Sequence, residues 1–406
     1  MNNPVVRSNF DLIYVKLISL LFDGEQSTNR KGDTIREVFD QAFTLTKPLD
    51  CLAFSREFSE KYLKNELLFY AGGSNSVKEA SKLSKFWEKC SDDNLTINSN
   101  YGRLLFHLKN SHGFTQFEHA INCLKNNPRS KKAVMTLYNN ENAYISNDNP
   151  CTMYIRLRID KAWKLHATVC MRSSDIYYGL PYDVPFFIFV QWCALQVLVT
   201  EYDQLELGTY THMANSLHFY ESKIAPLSRA LLEGARIIQK HEQEWLLNTY
   251  NKARDKLVEE RVPCFEKLHF MKLAWEASHN SKCLKKKVGA CLTITRNGNE
   301  RLVNAYHGGA EKECKTCARE DDNDPFFGDE CPSIHAEMRC IFRALKAGVQ
   351  RRGSEDYFTL YTTHGPCDAC LKLADYAGVK YTFYDKPYKT NYNHWPNITI
   401  RQLHCK

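Results

Sequence analysis

SIHAEMRCIFRALK (333–346) and TTHGPCDAC (362–370) are the two stretches on which the fold of the second half of this 406-residue chain turns. The first reads as a helix that starts near Ser333, and the second as a strand, Tyr357–Thr362, that runs into a helix from Cys367. His335 and the Cys367-x-x-Cys370 pair, 32 residues on, thus both suit helix N-termini. One imidazole and two thiolates fill three positions of a tetrahedral zinc ion and leave the fourth for water, the composition of a catalytic zinc site. Glu337, two residues past the histidine, is a carboxylate outside that ligand set, placed to carry a proton from the water to a ring nitrogen and then to leaving ammonia.

Working outward, a helix over Phe265–His279 precedes a strand Val288–Thr295, an Asn297-Gly298 turn and a strand Leu302–Tyr306, which predicts a β-hairpin. A strand Lys380–Tyr384 follows the second motif helix, giving a small sheet with helices packed on it. Between hairpin and first motif lies a loop rich in Cys, Asp and Gly, 308–332, with Cys314, Cys317 and Cys331. Of 16 cysteines, six fall in residues 1–263 and ten in 264–406. The start MNNPVVRSNFDLIY has no apolar signal core, so the expectation is a reducing, cytoplasmic setting with cysteines as metal ligands or a nucleophile. The longest apolar run, Val184 to Val199, holds Gln191 and Gln196 and spans 16 residues, too short for a membrane helix.

A composition of 43% hydrophobic and 25% charged residues excludes a disordered chain, and the length predicts two domains of α/β class. The net charge of +7 lacks a Lys/Arg stripe and fits anionic small molecules better than nucleic acid. From Asn9 to about Tyr220, helical patterns (10–21, 57–70) mix with strand-like runs (133–138, 151–159, 165–172), and residues 224–262 read as continuously helical. The expected organisation is a first domain over 1–240, a helical connector over 241–262 and a second domain over 263–406.

The His-Ala-Glu and Pro-Cys-x-x-Cys combination coincides with the signature of zinc nucleobase deaminases. With SKCLKKKVGACL (281–292) and AGVKYTFY (377–384), the second half resembles the cytidine and deoxycytidylate deaminase superfamily, which implies a three-layer α/β/α domain. The resemblance implies that His335, Cys367 and Cys370 bind the catalytic zinc and that Glu337 is the proton shuttle. It also implies that Cys314, Cys317 and Cys331 hold a structural zinc, the alternative being free thiols. Ala305-Tyr306-His307-Gly308 stands where the family usually has Gly-Tyr-Asn-Gly.

In the first half, Asn29-Arg30-Lys31-Gly32, Asn65-Glu66-Leu67-Leu68, Asn100-Tyr101-Gly102, Asn127 to Lys132, Asn149-Pro150-Cys151-Thr152, Arg172-Ser173-Ser174-Asp175, Gly179 to Asp183 and His218-Phe219-Tyr220 follow in order. The series resembles the thymidylate synthase and pyrimidine hydroxymethylase superfamily across residues 8–240, an α+β domain. The resemblance implies that Cys151 adds to C6 of a pyrimidine nucleotide and activates C5 toward a one-carbon unit from 5,10-methylenetetrahydrofolate. Arg172, with Ser173, Arg30, Lys131 and Lys132, would hold phosphate, and an arginine beside the thiol also lowers its pKa. Glu66 would order water at the base, Asp175 would bind folate, and His218 and Tyr220 would bind the sugar. The lysine pair stands in for arginines that reach a partner subunit's site, which implies a homodimer or higher oligomer. Asp183 occupies a position where uracil-specific members carry Asn and cytidylate hydroxymethylases carry Asp; a carboxyl group accepts from the exocyclic amine of cytosine and shares a proton with N3.

Together these features predict an enzyme of pyrimidine nucleotide metabolism that joins a C5 one-carbon transferase to a zinc-dependent deaminase. The alternatives are a first domain that only binds nucleotide or dimerises, and a deaminase acting on single-stranded nucleic acid.

Overall fold

The computed structural model describes residues 5–29, 32–260, 262, 265–283, 286–296, 299–309, 334–351, 353, 355–388, 390 and 392–403. The chain divides into two compact units, Met1–Cys264 and Phe265–Lys406.

The first unit runs β1 (Val5–Arg7), α1 (Phe10–Phe22), β2 (Glu25–Thr28), β3 (Thr34–Leu45), α2 (Glu60–Gly72), α3 (Val77–Ala80), α4 (Phe86–Cys90), a π-turn at 103–107 and α5 (Gln116–Asn126). It continues with β4 (Val134–Thr136), β5 (Thr152–Ile159), β6 (Lys164–Met171), β7 (Ser174–Asp175), α6 (Leu180–Leu198), β8 (Glu206–Tyr220), α7 (Ile224–Glu233) and α8 (Lys240–Glu259). The sheet order is β1-β3-β8-β6-β5-β4, with β2 on β3 and β7 on β8. Period-two alternation builds it: in β5, Ile155, Leu157 and Ile159 are buried, and Arg158 between the last two is exposed. Helix α6 is apolar on most of its circumference, and 16 of its 19 residues are buried. Its Gln191 is accommodated because Nε2 donates to the carbonyls of Leu165 and Thr209 at 2.8 and 3.2 Å. Most of the segment expected to be a connector is α8, whose Leu246, Tyr250, Ala253 and Leu257 are buried in the first unit, where Tyr250 Oη donates to the Pro185 carbonyl at 2.7 Å.

The second unit runs α9 (Glu266–His279), β9 (Gly289–Arg296), β10 (Asn299–His307), α10 (Ala336–Lys346), β11 (Tyr357–His364), α11 (Asp368–Ala377), β12 (Val379–Lys386) and β13 (Thr399–Gln402). The sheet order is β10-β9-β11-β12-β13. Strands β9 and β10 pair antiparallel as the hairpin reading expects, whereas β11, β12 and β13 are parallel to one another. Alternation divides the strands between two cores. Leu292, Ile294, Phe358 and Leu360 meet Ile341 of α10 and Leu371 of α11, while Cys291, Tyr361 and Phe383 meet Phe270, Met271 and Ala274 of α9. Helices thus cover both faces of the sheet, a three-layer α/β/α arrangement. Among the described residues, no helix is long and apolar enough to cross a membrane.

Candidate active sites

Helix N-termini at one edge of the second sheet assemble a metal-ligand cluster. His335 is the N-cap of α10, and Cys367 is the N-cap of α11 with Cys370 one turn in. His335 Nδ1 lies 3.1 Å from Cys370 Sγ and 3.4 Å from Cys367 Sγ, and the three donor atoms all fall within 4.8 Å of one another. A tetrahedral zinc with bonds of about 2.0 Å to nitrogen and about 2.3 Å to sulfur separates its ligand atoms by about 3.5 to 3.8 Å, so the spacing and the imidazole–thiolate donor set fit that ion. The hydrogen bond with Cys370 holds the Cys367 thiol well below its ordinary value, and the same bond together with burial pushes Cys370 far up.

Glu337, in the first turn of α10, is only 4% exposed. Burial pushes its carboxyl above the usual range against the pull of His335, and Oε1 accepts from Thr362 Oγ1 at 3.2 Å. The end of β10 at Tyr306-His307 and the Gly308 that follows it pass the same helix start, with Gly308 so close that a Cβ there would lie 3.1 Å from the Ala336 amide nitrogen. Gly365 packs closely too, since a Cβ on it would lie 2.1 Å from Tyr392 Oη and 3.1 Å from the Tyr388 amide nitrogen. Tyr392 escapes sequence reasoning: its buried hydroxyl has no hydrogen-bond partner among the described residues, and it senses the charges of Glu337 and Cys367. Cys314, Cys317 and Cys331 lie outside the described residues. Cys291 is buried with Phe270 and Tyr361 in the core, and burial pushes its thiol far up.

In the first unit, Cys151 immediately precedes β5, and Arg172 follows β6, its amide donating to the Cys151 carbonyl at 2.9 Å. The guanidinium Nε and Nη2 donate to the carbonyls of Pro150 and Asn149 at 3.1 and 3.0 Å, clamping the loop that carries the thiol. Asp148 fastens the same loop from the other side, accepting from the amides of Asn98 and Ser99 at 2.5 and 3.0 Å and from Ser99 Oγ. Arg172 does pull the thiol down, as its placement predicts, but burial outweighs it and leaves Cys151 above its ordinary value. A carboxyl pair, Glu66 and Asp183, adjoins this site. Glu66 of α2, hydrogen-bonded by Tyr62 Oη at 3.0 Å, is pushed up to about 8, first by burial and then by the charge of Asp183. Asp183, in the first turn of α6, is raised to about 7 by burial and then by Asp175.

Asp175 and His218 are register partners on β7 and β8, with carboxylate and imidazole 4.0 Å apart. Asp175 Oδ1 is occupied by the amides of Tyr177 and Tyr178 at 2.7 and 2.8 Å, which leaves Oδ2 as its acceptor toward a ligand. Tyr220 closes β8 with its ring 5.9 Å from that of His218, and Ser173 is half-buried beside Arg172. Arg30 lies outside the described residues. Lys131 and Lys132 are exposed and belong elsewhere: Ala133 accepts from the Leu157 amide at 2.9 Å, near the end of β5 farthest from Cys151. At about 3.3 Å per strand residue, the pair is on the order of 20 Å from the thiol of its own chain.

Comparison with known proteins places both halves. A family model described as thymidylate synthase matches residues 13–253, and one described as the cytidine and deoxycytidylate deaminase zinc-binding region matches residues 266–385. The chain is 26% identical over 215 residues to "Thymidylate synthase" of Clostridium beijerinckii, covering 52% of this chain and 77% of that protein. It is 34% identical over 124 residues to "ComE operon protein 2" of Bacillus subtilis, covering 30% of this chain and 60% of that protein.

Proposed function

The chain belongs to the thymidylate synthase family through residues 13–253 and continues into a deaminase-like region over 266–385, and on that premise we propose that it is a two-site enzyme of pyrimidine nucleotide metabolism. The second unit hydrolyses the 4-amino group of a cytosine nucleotide, and the first modifies C5 of a pyrimidine nucleotide through Cys151. The observation that carries the reading is the convergence of His335, Cys367 and Cys370 on one point beside the buried Glu337. A zinc ion held there supplies the Lewis acidity that makes water nucleophilic near neutral pH. Glu337 accepts one proton of the water as its oxygen adds to C4 and passes it to N3, then takes the second from the resulting 4-hydroxyl and delivers it to the amine as the C4–N bond breaks and ammonia leaves. Thr362 Oγ1 orients the carboxyl for these transfers.

In the first unit Cys151 Sγ adds to C6, which makes C5 nucleophilic, and Arg172 steadies both the thiolate and the nucleotide's phosphate. The one-carbon unit comes from 5,10-methylenetetrahydrofolate, for which Asp175 Oδ2 is the acceptor that remains. Lys131 and Lys132, remote from their own chain's thiol, serve the phosphate of the partner subunit's nucleotide in a homodimer. Incubation with labelled cytidine and deoxycytidine monophosphates, with and without the folate, and resolution of products by mass tests both reactions at once. Absence of a deaminated product overturns the first assignment, and absence of a C5-modified product overturns the second.

Asp183 makes cytosine the preferred base of the first site. Near neutrality its carboxyl is part protonated, so it donates to N3 and accepts from the 4-amino group. Above about pH 7 the proton is lost and C5 exchange on cytosine nucleotides should fall. Asp183→Asn, an amide with fixed donor and acceptor ends, should remove that limb of the profile and lower the cytosine-to-uracil rate ratio about ten-fold or more. Stability changes with the same group: between its unfolded value near 3.8 and about 7 the native state keeps a proton that the unfolded chain has released, so stability falls as pH rises through that window. The Asn variant should have a flatter profile of chemical-denaturation midpoint against pH; an unchanged slope argues against a buried Asp183.

A further inference from the structure

We propose that the rim of the second unit's metal cluster is a phosphate-binding subsite in which Lys286 and Lys386, both neighbours of His364, hold the 5′-phosphate of a free pyrimidine nucleotide. The assignment rests on the deaminase reading and supplies what that reading lacks, the groups that tell a nucleotide from a nucleoside.

The ends of two neighbouring strands and the segment that leads into a third meet just before Cys367. His364 ends β11 and pairs in register with Lys386 at the end of the parallel strand β12, and the Gly365 amide donates to the Lys386 carbonyl at 2.8 Å. The Gly289 amide donates to Thr363 Oγ1 at 3.1 Å, which brings the segment holding Lys286 to the same edge. Lys286 Nζ rests 5.3 Å over the ring of Tyr388, and Lys386 Nζ rests 4.8 Å over the ring of Trp275, itself 6.2 Å from the His364 ring.

Among the described residues neither ammonium is ion-paired with a carboxylate. The acid of this neighbourhood, Asp385, is buried and accepts from Trp275 Nε1 at 3.1 Å. A lysine lying on an aromatic face keeps its N–H donors free for an anion. Both lysines depress the His364 imidazole after burial has done so, a sign that the two positive charges share one small region. Two unneutralised cations match a phosphate monoester, which carries close to two negative charges at neutral pH, better than an internal phosphodiester, which carries one. That difference favours a free nucleotide over a polynucleotide.

Deamination of deoxycytidine 5′-monophosphate and of deoxycytidine by the full-length zinc-loaded protein should be compared with Lys286→Ala, Lys386→Ala and the double variant, after matching melting temperatures. Each substitution should lower the monophosphate-to-nucleoside ratio of kcat/KM roughly ten-fold or more, an effect that shrinks with rising ionic strength and is partly restored by Arg. An unchanged ratio in the double variant overturns the subsite. Binding of inorganic phosphate, measured by calorimetry, reads the same site without turnover. If the wild-type protein deaminates neither compound, the deaminase reading fails, and the subsite then stands if the double variant binds phosphate at least ten-fold more weakly and falls if it does not. Faster turnover of a short single-stranded oligodeoxycytidylate than of the monophosphate overturns the assignment to a free nucleotide.

Discussion

Replacing Cys151 by Ser should suppress folate-dependent tritium release from 5-tritiated cytosine and uracil nucleotides by at least about 10⁴-fold, because a hydroxyl at neutral pH is a far weaker nucleophile than a thiolate and no other group supplies the addition to C6. The loop around the thiol should survive the change. Its shape is held by Arg172 on the carbonyls of Asn149 and Pro150 and by Asp148 on the amides of Asn98 and Ser99, none of which involves the sulfur. Nucleotide binding and melting temperature are therefore expected to stay close to wild type. Deamination should persist as well, since its groups all belong to the other unit. Release that survives the substitution removes Cys151 from the chemistry. Loss of nucleotide binding along with release would instead mark it as a structural residue.

The raised thiol adds a second readout. Burial, aided by the acids Asp183, Asp148 and Asp175, outweighs Arg172. Alkylation of Cys151 by a neutral reagent should therefore be slow at pH 7 and accelerate with pH above the ordinary thiol value. Arg172→Ala should slow it further, because the opposing positive charge is lost.

How far the sequence alone could lead differs between the two halves for physical reasons. In the second, His335 and Cys367-x-x-Cys370 sit at contiguous helix starts, so motif and geometry coincide, and the strands that frame them alternate cleanly between two apolar cores. Edge strand β13, four residues with none fully buried, left no periodic trace. In the first half the long strands β3 and β8 escaped notice because their inward positions are Phe43, Tyr210, His212 and Ala214 as much as aliphatic residues. The parity also changes along β8, where Ala214 and Leu217 are both buried, opposite the irregularity at Asp40 of β3, a residue with φ of 50°. Helix α8 shows the converse case. Its Leu246, Tyr250, Ala253 and Leu257 lie on one helical stripe, a pattern that marks a buried face more firmly than an exposed linker. The cluster of Lys286, His364 and Lys386 has no local signature at all, since two strand ends and the segment before β9 supply it and strand pairing brings them together.

Replacing Glu337 by Gln should reduce deamination by about 10² to 10⁴-fold, the span that a positioned proton carrier contributes. The amide is isosteric and keeps an oxygen to accept from Thr362 Oγ1, so the first turn of α10 and the His335 N-cap should hold their places. What disappears is the capacity to take a proton from water and return it to N3 and to the departing amine. Bound zinc, measured on the purified protein, separates the two ways this could fail. With zinc near one equivalent per deaminase-like site and turnover lost, the carboxyl acts in the chemistry. With zinc lost as well, the substitution has damaged the ligand cluster, and the proton role must be judged from Glu337→Asp, which keeps a carboxyl at shorter reach. Retained turnover in Glu337→Gln would remove the residue from the mechanism, whatever the metal content. Tritium release at the other unit should be unchanged in every case, because Cys151, Glu66 and Asp183 belong to the first unit and Glu337 to the second. The two substitutions, at Cys151 and at Glu337, should therefore each silence one reaction and spare the other, the behaviour expected when two catalytic sites are carried on one chain without sharing a catalytic group.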